Sequence, residues 1–184
     1  MKIIKIFVSA ICIIFLFIFL AYGINKIVKV NKKYPPPDVT AVNISEDLFI
    51  NQNKLKVRAD DFNIQDISYL TDTTYSSQSY MGKTMVASVN IRVDNVSDEK
   101  VRFDLPSVEL TSDGWHNGLF LDLFLELNPK YNGEIEPKNY IEVIVPYIMY
   151  ENHFKKSAWQ NLDNQDYRLV FQLYPEKKYI SLHC

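Results

Sequence analysis

The side chains with which this chain could do chemistry are three His, two Cys and several acidic residues set near turns. Zinc needs ligands that converge from one face, yet His116, His153 and His183 stand far apart, with no HxH or HxxxH pair among them. A nucleophile needs a base beside it or an elbow that presents it. Neither a GxSxG elbow nor an internal Cys with a neighbouring His occurs. Calcium takes oxygen ligands from loops, which brings in Asp60 and Asp61, Asp72, and the group Asp94, Asp98 and Glu99. Their spacing does not match an EF-hand loop, and Asx side chains are ordinary turn formers through their own backbone hydrogen bonds. The expectation is no catalytic residue, no metal and no cofactor. Asn43 and Asn95 each open an N-x-S triplet, a short pattern read as chance.

Any site must be positioned by strands, because the apolar pattern of the chain has a period of two. In "TMVASVNIRVDN", residues 84–95, Met85, Ala87, Val89, Ile91 and Val93 share one side, and Ser88, Asn90, Arg92 and Asp94 the other. Val101, Phe103 and Leu105 also share a face, so the turn "NVSDEK" predicts a hairpin between the two runs. Further strands are predicted at residues 39–44, 54–64 with a continuation at 66–70, 107–111, 140–150, 167–175 and 178–182. Pro146 must then fall at an edge, a bulge or a strand end. Residues 119–127, "LFLDLFLEL", place five Leu at every second position, which outweighs the helical preference of Leu and predicts a strand with those Leu inward. Residues 71–82 read as a long polar loop, and residues 151–162, with Phe154, Ala158 and Leu162 four apart, as the one helix of this part. Many short strands, short turns and only five Gly predict an all-β fold, two antiparallel sheets packed as a sandwich.

Ahead of the strands lies a segment of another kind. Residues 6–25, "IFVSAICIIFLFIFLAYGIN", carry no charge, and as a helix they would span about 30 Å, the thickness of a bilayer's hydrocarbon core. Two readings remain for it: an uncleaved transmembrane helix with Tyr22 at the interface, which is preferred, and a secretory signal cut after Gly23. Lys26, Lys29, Lys32 and Lys33 follow the run, against Lys2 and Lys5 before it, so a count of positive charges would hold the rest of the chain inside the cell. The short basic start before an apolar run is nevertheless the usual form of an export signal, and the C-terminal part is expected outside the cell. The organisation is thus an anchor at 1–33, a stiff stalk with Pro35, Pro36 and Pro37 at 34–38, and a sandwich at 39–184.

The first 33 residues hold 6 of the 20 Lys and Arg and none of the 22 Asp and Glu, so the remainder, 14 against 22, carries a net charge of −8. That acidity argues against nucleic acid, whose phosphates need a basic face. With Cys184 as its only cysteine the sandwich closes no internal disulfide, and its core must hold it together.

The hairpin "VNIRVDNVSDEKVRF", the stretch "IEPKNYIEVIVP" with Pro137 and Pro146, and the closing "YRLVFQL" are the stretches that carry a resemblance. The chain resembles the immunoglobulin-like domains of uncharacterised function found in membrane-anchored or lipid-anchored surface proteins of Gram-positive bacteria. That resemblance implies an immunoglobulin-like β-sandwich at the cell surface and supplies no catalytic residues. Lipid anchoring is not expected, since Cys12 follows Ile11 in the middle of the apolar run, with no lipobox at its end.

The remaining lead is aromatic, with 12 Tyr and 11 Phe. If the Leu of residues 119–127 point inward, Phe120 and Phe124 must be covered by the chain itself or by a partner. With Trp115 nearby, they form the candidate partner-binding patch. The function expected is a non-enzymatic surface module, single-pass in the cell membrane, that binds a protein or envelope component or acts as a structural accessory. The alternatives are an anchored hydrolase accessory and a membrane-tethered cytoplasmic partner.

Overall fold

The computed structural model describes residues 2–70, 78–79 and 82–182, in two units divided after Pro37. The first unit is the helix α1, Lys2–Lys33. It ends where Pro35, Pro36 and Pro37 remove the backbone donors a further turn would need.

The second unit runs β1 (Asp38–Asn43), β2 (Leu48–Ile50), β3 (Leu55–Asp66), the short β4 (Gln78–Ser79), β5 (Gly82–Asn95) and β6 (Val101–Arg102). It continues through β7 (Glu109–Ser112), β8 (Trp115–Gly118), α2 (Leu121–Leu127), β9 (Glu134–Ile135), β10 (Tyr140–Tyr150), α3 (Lys156–Trp159), β11 (Tyr167–Gln172) and β12 (Glu176–Leu182). One sheet has the order β10-β5-β3-β2 and is antiparallel throughout; the other has the order β1-β12-β11-β7-β8. In the second sheet β1 lies parallel to β12, a departure from the all-antiparallel expectation.

The two sheets bury one core between them. Val57, Val89, Val93, Val145 and Tyr147 from the first sheet and Leu110, Tyr167, Leu169, Ile180 and Leu182 from the second are fully buried in one cluster, each worth about 1.5–3 kcal/mol over exposure. Phe62 and Tyr167 meet across the layers with ring centroids 5.1 Å apart, and the Tyr147 hydroxyl donates to the Val108 carbonyl just ahead of β7. Burial pushes that phenol far above its usual range, so it stays neutral.

The alternation read in residues 84–95 holds from Ala87 on, with Ala87, Val89, Ile91 and Val93 buried and Asn90, Arg92 and Asp94 on the other face, whereas Thr84 and Val86 on that other face are buried as well. Asp60 is the extra residue of a β-bulge, since Ala59 pairs with Ile91 and Asp61 with Asn90. The bulge shifts the phase by one, and so Leu55, Val57 and Ala59 before it and Phe62 after it all face inward.

Three expectations are overturned. Residues 119–127 are not a strand: residues 121–127 form α2. The segment lies along the open edge of β10, which Phe120 N–H and the Asn128 side chain bond in place of a paired strand, and there the helical preference of Leu prevails over the period of two. Leu123 and Phe124 are buried, while Leu121 and Leu125 are about half exposed. Second, β5 does not form a hairpin with residues 101–105. It pairs with β10 from Thr84 to Asp94, and Val101 and Arg102 pair with β9 instead. Third, residues 151–162 hold one short helix, α3, preceded by a 3₁₀ turn at Glu151–His153. The polar loop expected at 71–82 lies mostly outside the described residues.

Candidate functional site

β10 is an edge strand, and how its edge is closed defines the neighbouring grooves. The Asn95 N–H donates to the Asn139 carbonyl at 2.8 Å just beyond the pairing of β5 with β10. In that antiparallel register the odd residues of β10 bond to β5 and the even ones turn outward. Pro146 therefore lacks only an N–H that the sheet does not use, which is the edge position the sequence required. The outward groups are met by the segment around α2. Asn117 Nδ2 donates to the Ile148 carbonyl, Phe120 N–H to the Pro146 carbonyl, and Asn128 binds both backbone groups of Ile144.

Beyond Asn128 this cover stops. Leu127, Asn128, Tyr131, Glu142 and Val143 line a cleft of about 390 Å³. A second, of about 440 Å³, shares Leu127, Asn128, Glu142 and Val143 and continues to Asp60 and Asn90. The two adjoin as one groove beside β10: Leu127, Tyr131, Ile141 and Val143 make the first largely apolar, and Asp60, Asn90, Asn128 and Glu142 make the second polar. Next to Glu142, and outside the lining of either cleft, the Arg92 guanidinium lies 3.7 Å from the ring centroid of Tyr140, donates to Asp94 at 2.9 Å, and reaches Glu142 at 3.4 Å. The hydrogen bond to Asp94 raises the Arg92 pKa, and Arg58, directly across from Arg92, is raised by its bond to Asp60. Both stay charged. Arg92 is thus held in place by two carboxylates and an aromatic ring, with its Nε and Nη2 committed to Asp94 and its Nη1 to Glu142.

The residues singled out by type are placed as follows. Trp115 is 7% exposed and stacks on Phe154 at 5.2 Å; Phe124 is 1% exposed and meets Tyr131 edge-on at 5.0 Å. Phe120 is half-buried against the small cluster of Ile67, Val86 and Leu123. Phe154 and Tyr131 cover Trp115 and Phe124 from within the chain, so the three do not form an exposed patch.

The acidic residues are engaged locally: Asp60 with Arg58, Asp94 with Arg92, Asp98 with Lys138 and Glu99 with Lys54. Among the described residues no three His, Cys, Asp or Glu come together as a metal site. His183, Cys184 and Asp72 lie outside those residues. Asn95, the second N-x-S site, is 1% exposed and its side-chain groups are fully used, which closes it to a glycan. The groove itself escaped the sequence reading. Arg92 was visible as an outward residue of β5, but nothing local pairs it with Tyr140, 48 positions on.

Fold and site together define a β-sandwich with a lateral groove, preceded by a helix long and apolar enough to cross a membrane. The chain belongs to the family of the domain of unknown function DUF5028, whose model matches residues 21–178. No curated protein matches it in sequence. Among solved structures it is similar to a conserved hypothetical protein from Bacillus anthracis, with 11% identity over 75% of this chain and 94% of that one and a TM-score of 0.50. It is also similar to an uncharacterized β-sandwich protein from Clostridium difficile 630 (12%, 79% and 95%, TM-score 0.48). The YjhA protein from Bacillus subtilis is a third (8%, 77% and 99%, TM-score 0.47). The likeness to the Bacillus anthracis protein bears on the fold alone.

Proposed function

We propose that the chain is a membrane-held, non-enzymatic binding module: α1 anchors it, the prolines space it, and an immunoglobulin-like sandwich outside the cell binds a protein or envelope component. The observation that carries this reading is α1, a 32-residue helix containing an uncharged run of 20, joined through three prolines to an acidic β-sandwich. Lys2 and Lys5 ahead of the apolar run support the outward orientation. The groove beside β10 is the binding surface, because Leu127, Tyr131, Ile141 and Val143 offer apolar area at one end and Glu142, with Arg92 and Tyr140 beside it, offers direction.

The test is capture of an envelope component by the full-length protein in detergent. Tyr140→Ala and Glu142→Arg should abolish capture while the thermal transition is kept, and Lys54→Ala, away from the groove, should leave it intact. Capture unchanged by both groove variants overturns the site. Turnover of a glycoside, ester or peptide substrate overturns the non-enzymatic reading.

A further inference from the structure

The four lysines after the apolar run are arranged as well as numerous. Residues 1–37 contain no Asp or Glu, and α1 continues without a break to Lys33. With 3.6 residues per turn, Lys26, Lys29, Lys32 and Lys33 project within an arc of about 120°, and Ile24, Ile27, Val28 and Val30 take the opposite side. On the lysine side Tyr22, Asn25, Lys26 and Lys29 border one hollow of about 190 Å³. Along the axis, at 1.5 Å per residue, Tyr22 to Lys29 covers about 10 Å and straddles the end of the uncharged run at Asn25. With the uncharged run filling the hydrocarbon core, Tyr22 would sit about 4.5 Å inside its edge and Lys29 about 6 Å outside it, so the four side chains would bracket the inner part of a headgroup layer roughly 5–8 Å deep.

We propose that this face of α1 is a binding site for anionic phospholipid headgroups, an inference that rests on the membrane-helix reading above. The Tyr22 hydroxyl and the Asn25 amide donate to phosphate oxygens from the hydrocarbon side, and the Lys26 and Lys29 ammonium groups neutralise the phosphate from the aqueous side. Lys32 and Lys33 extend the positive field about one turn further out. A zwitterionic lipid offers the same phosphate but brings its own ammonium, which offsets the attraction, and the selectivity is for net negative charge. The lysines thereby have a use in either leaflet: the lipid they meet is the one at the C-terminal end of the helix.

The experiment uses the full-length protein in phosphatidylcholine vesicles doped with spin-labelled phosphatidylglycerol or spin-labelled phosphatidylcholine, and reads the motionally restricted lipid fraction. The wild type should enrich the anionic label several-fold over the zwitterionic one. Lys26→Gln/Lys29→Gln should lower that preference, and the variant with all four lysines as Gln should abolish it. No preference in the wild type, or an undiminished one in the four-lysine variant, overturns the site. Alkaline carbonate extraction and the intact mass of the membrane-purified protein separate the two readings. A full-length protein that resists extraction yet shows no preference overturns the headgroup site alone, whereas a protein released by carbonate or cut after Gly23 overturns the anchor and the site with it.

Discussion

Asn128 satisfies both outward backbone groups of Ile144, accepting from its N–H at 2.9 Å and donating to its carbonyl at 2.8 Å. The same side chain donates to the Phe124 carbonyl at 2.8 Å and so ties the C-terminus of α2 to the sheet. An uncovered sheet edge is a template for pairing with another chain. One amide here acts as a single-residue strand and sets where the groove begins.

Asn128→Ala should therefore lower stability by about 2 kcal/mol, because partly buried backbone groups of Ile144 lose their partners. Urea unfolding of the variant checks this. A midpoint equal to that of the wild type would mean that water closes the edge equally well.

Truncations along α2 should follow helical rather than alternating burial. Phe124→Ala is expected to cost about 3–5 kcal/mol and Leu123→Ala about 2–5. Leu121→Ala and Leu125→Ala, at half-exposed positions, should stay within about 0.5 kcal/mol. Equal losses at Leu121, Leu123 and Leu125 would restore the strand.

Asn95 holds the end of β5 through donations to the carbonyls of Glu99, Ile135 and Glu136, and it accepts from the amide and hydroxyl of Ser97. At 1% exposure its loss leaves buried carbonyls unpaired. Asn95→Ala should cost about 2–4 kcal/mol and speed hydrogen exchange in the turns on either side of β9. Exchange unchanged there would remove the clamp.

Two carboxylates carry a pH dependence. Glu176 is held below its ordinary range first by the Thr40 hydroxyl and then by Lys178, and Asp66 by the amide and hydroxyl of Ser68. A depressed folded pKa stabilises the fold above the unfolded value, about 4.3 for Glu and 3.9 for Asp, and that contribution is lost as pH falls through the folded value. The urea midpoint should rise with pH across the acid range, and Glu176→Gln should flatten the rise. A variant with a steeper slope would contradict the assignment.

The strands at residues 84–95, 140–150 and 167–172 were legible because alternation and burial coincide there, as they do from Val89 to Val93. At residues 119–127 the period of two conflicted with the helical preference of Leu, and the decision lay with a remote edge, that of β10. The wrong partner for β5 has the same origin, since the sequence shows that a strand exists but not which strand 50 positions away takes its edge. Of the two covers open to the aromatic residues, the chain's own holds for Trp115 and Phe124, through Phe154 and Tyr131, contacts that no local pattern encodes. Of the groove, only the outward position of Arg92 could be read in advance.

The proposal that the sandwich is tethered and faces outward is tested most directly by protease treatment of intact cells, followed by detection of the C-terminal domain and of a cytoplasmic control. The domain should be removed while the control survives, and before treatment all of it should sediment with membranes at alkaline pH. A domain that survives on intact cells and is digested only after lysis would place it on the other side of the bilayer.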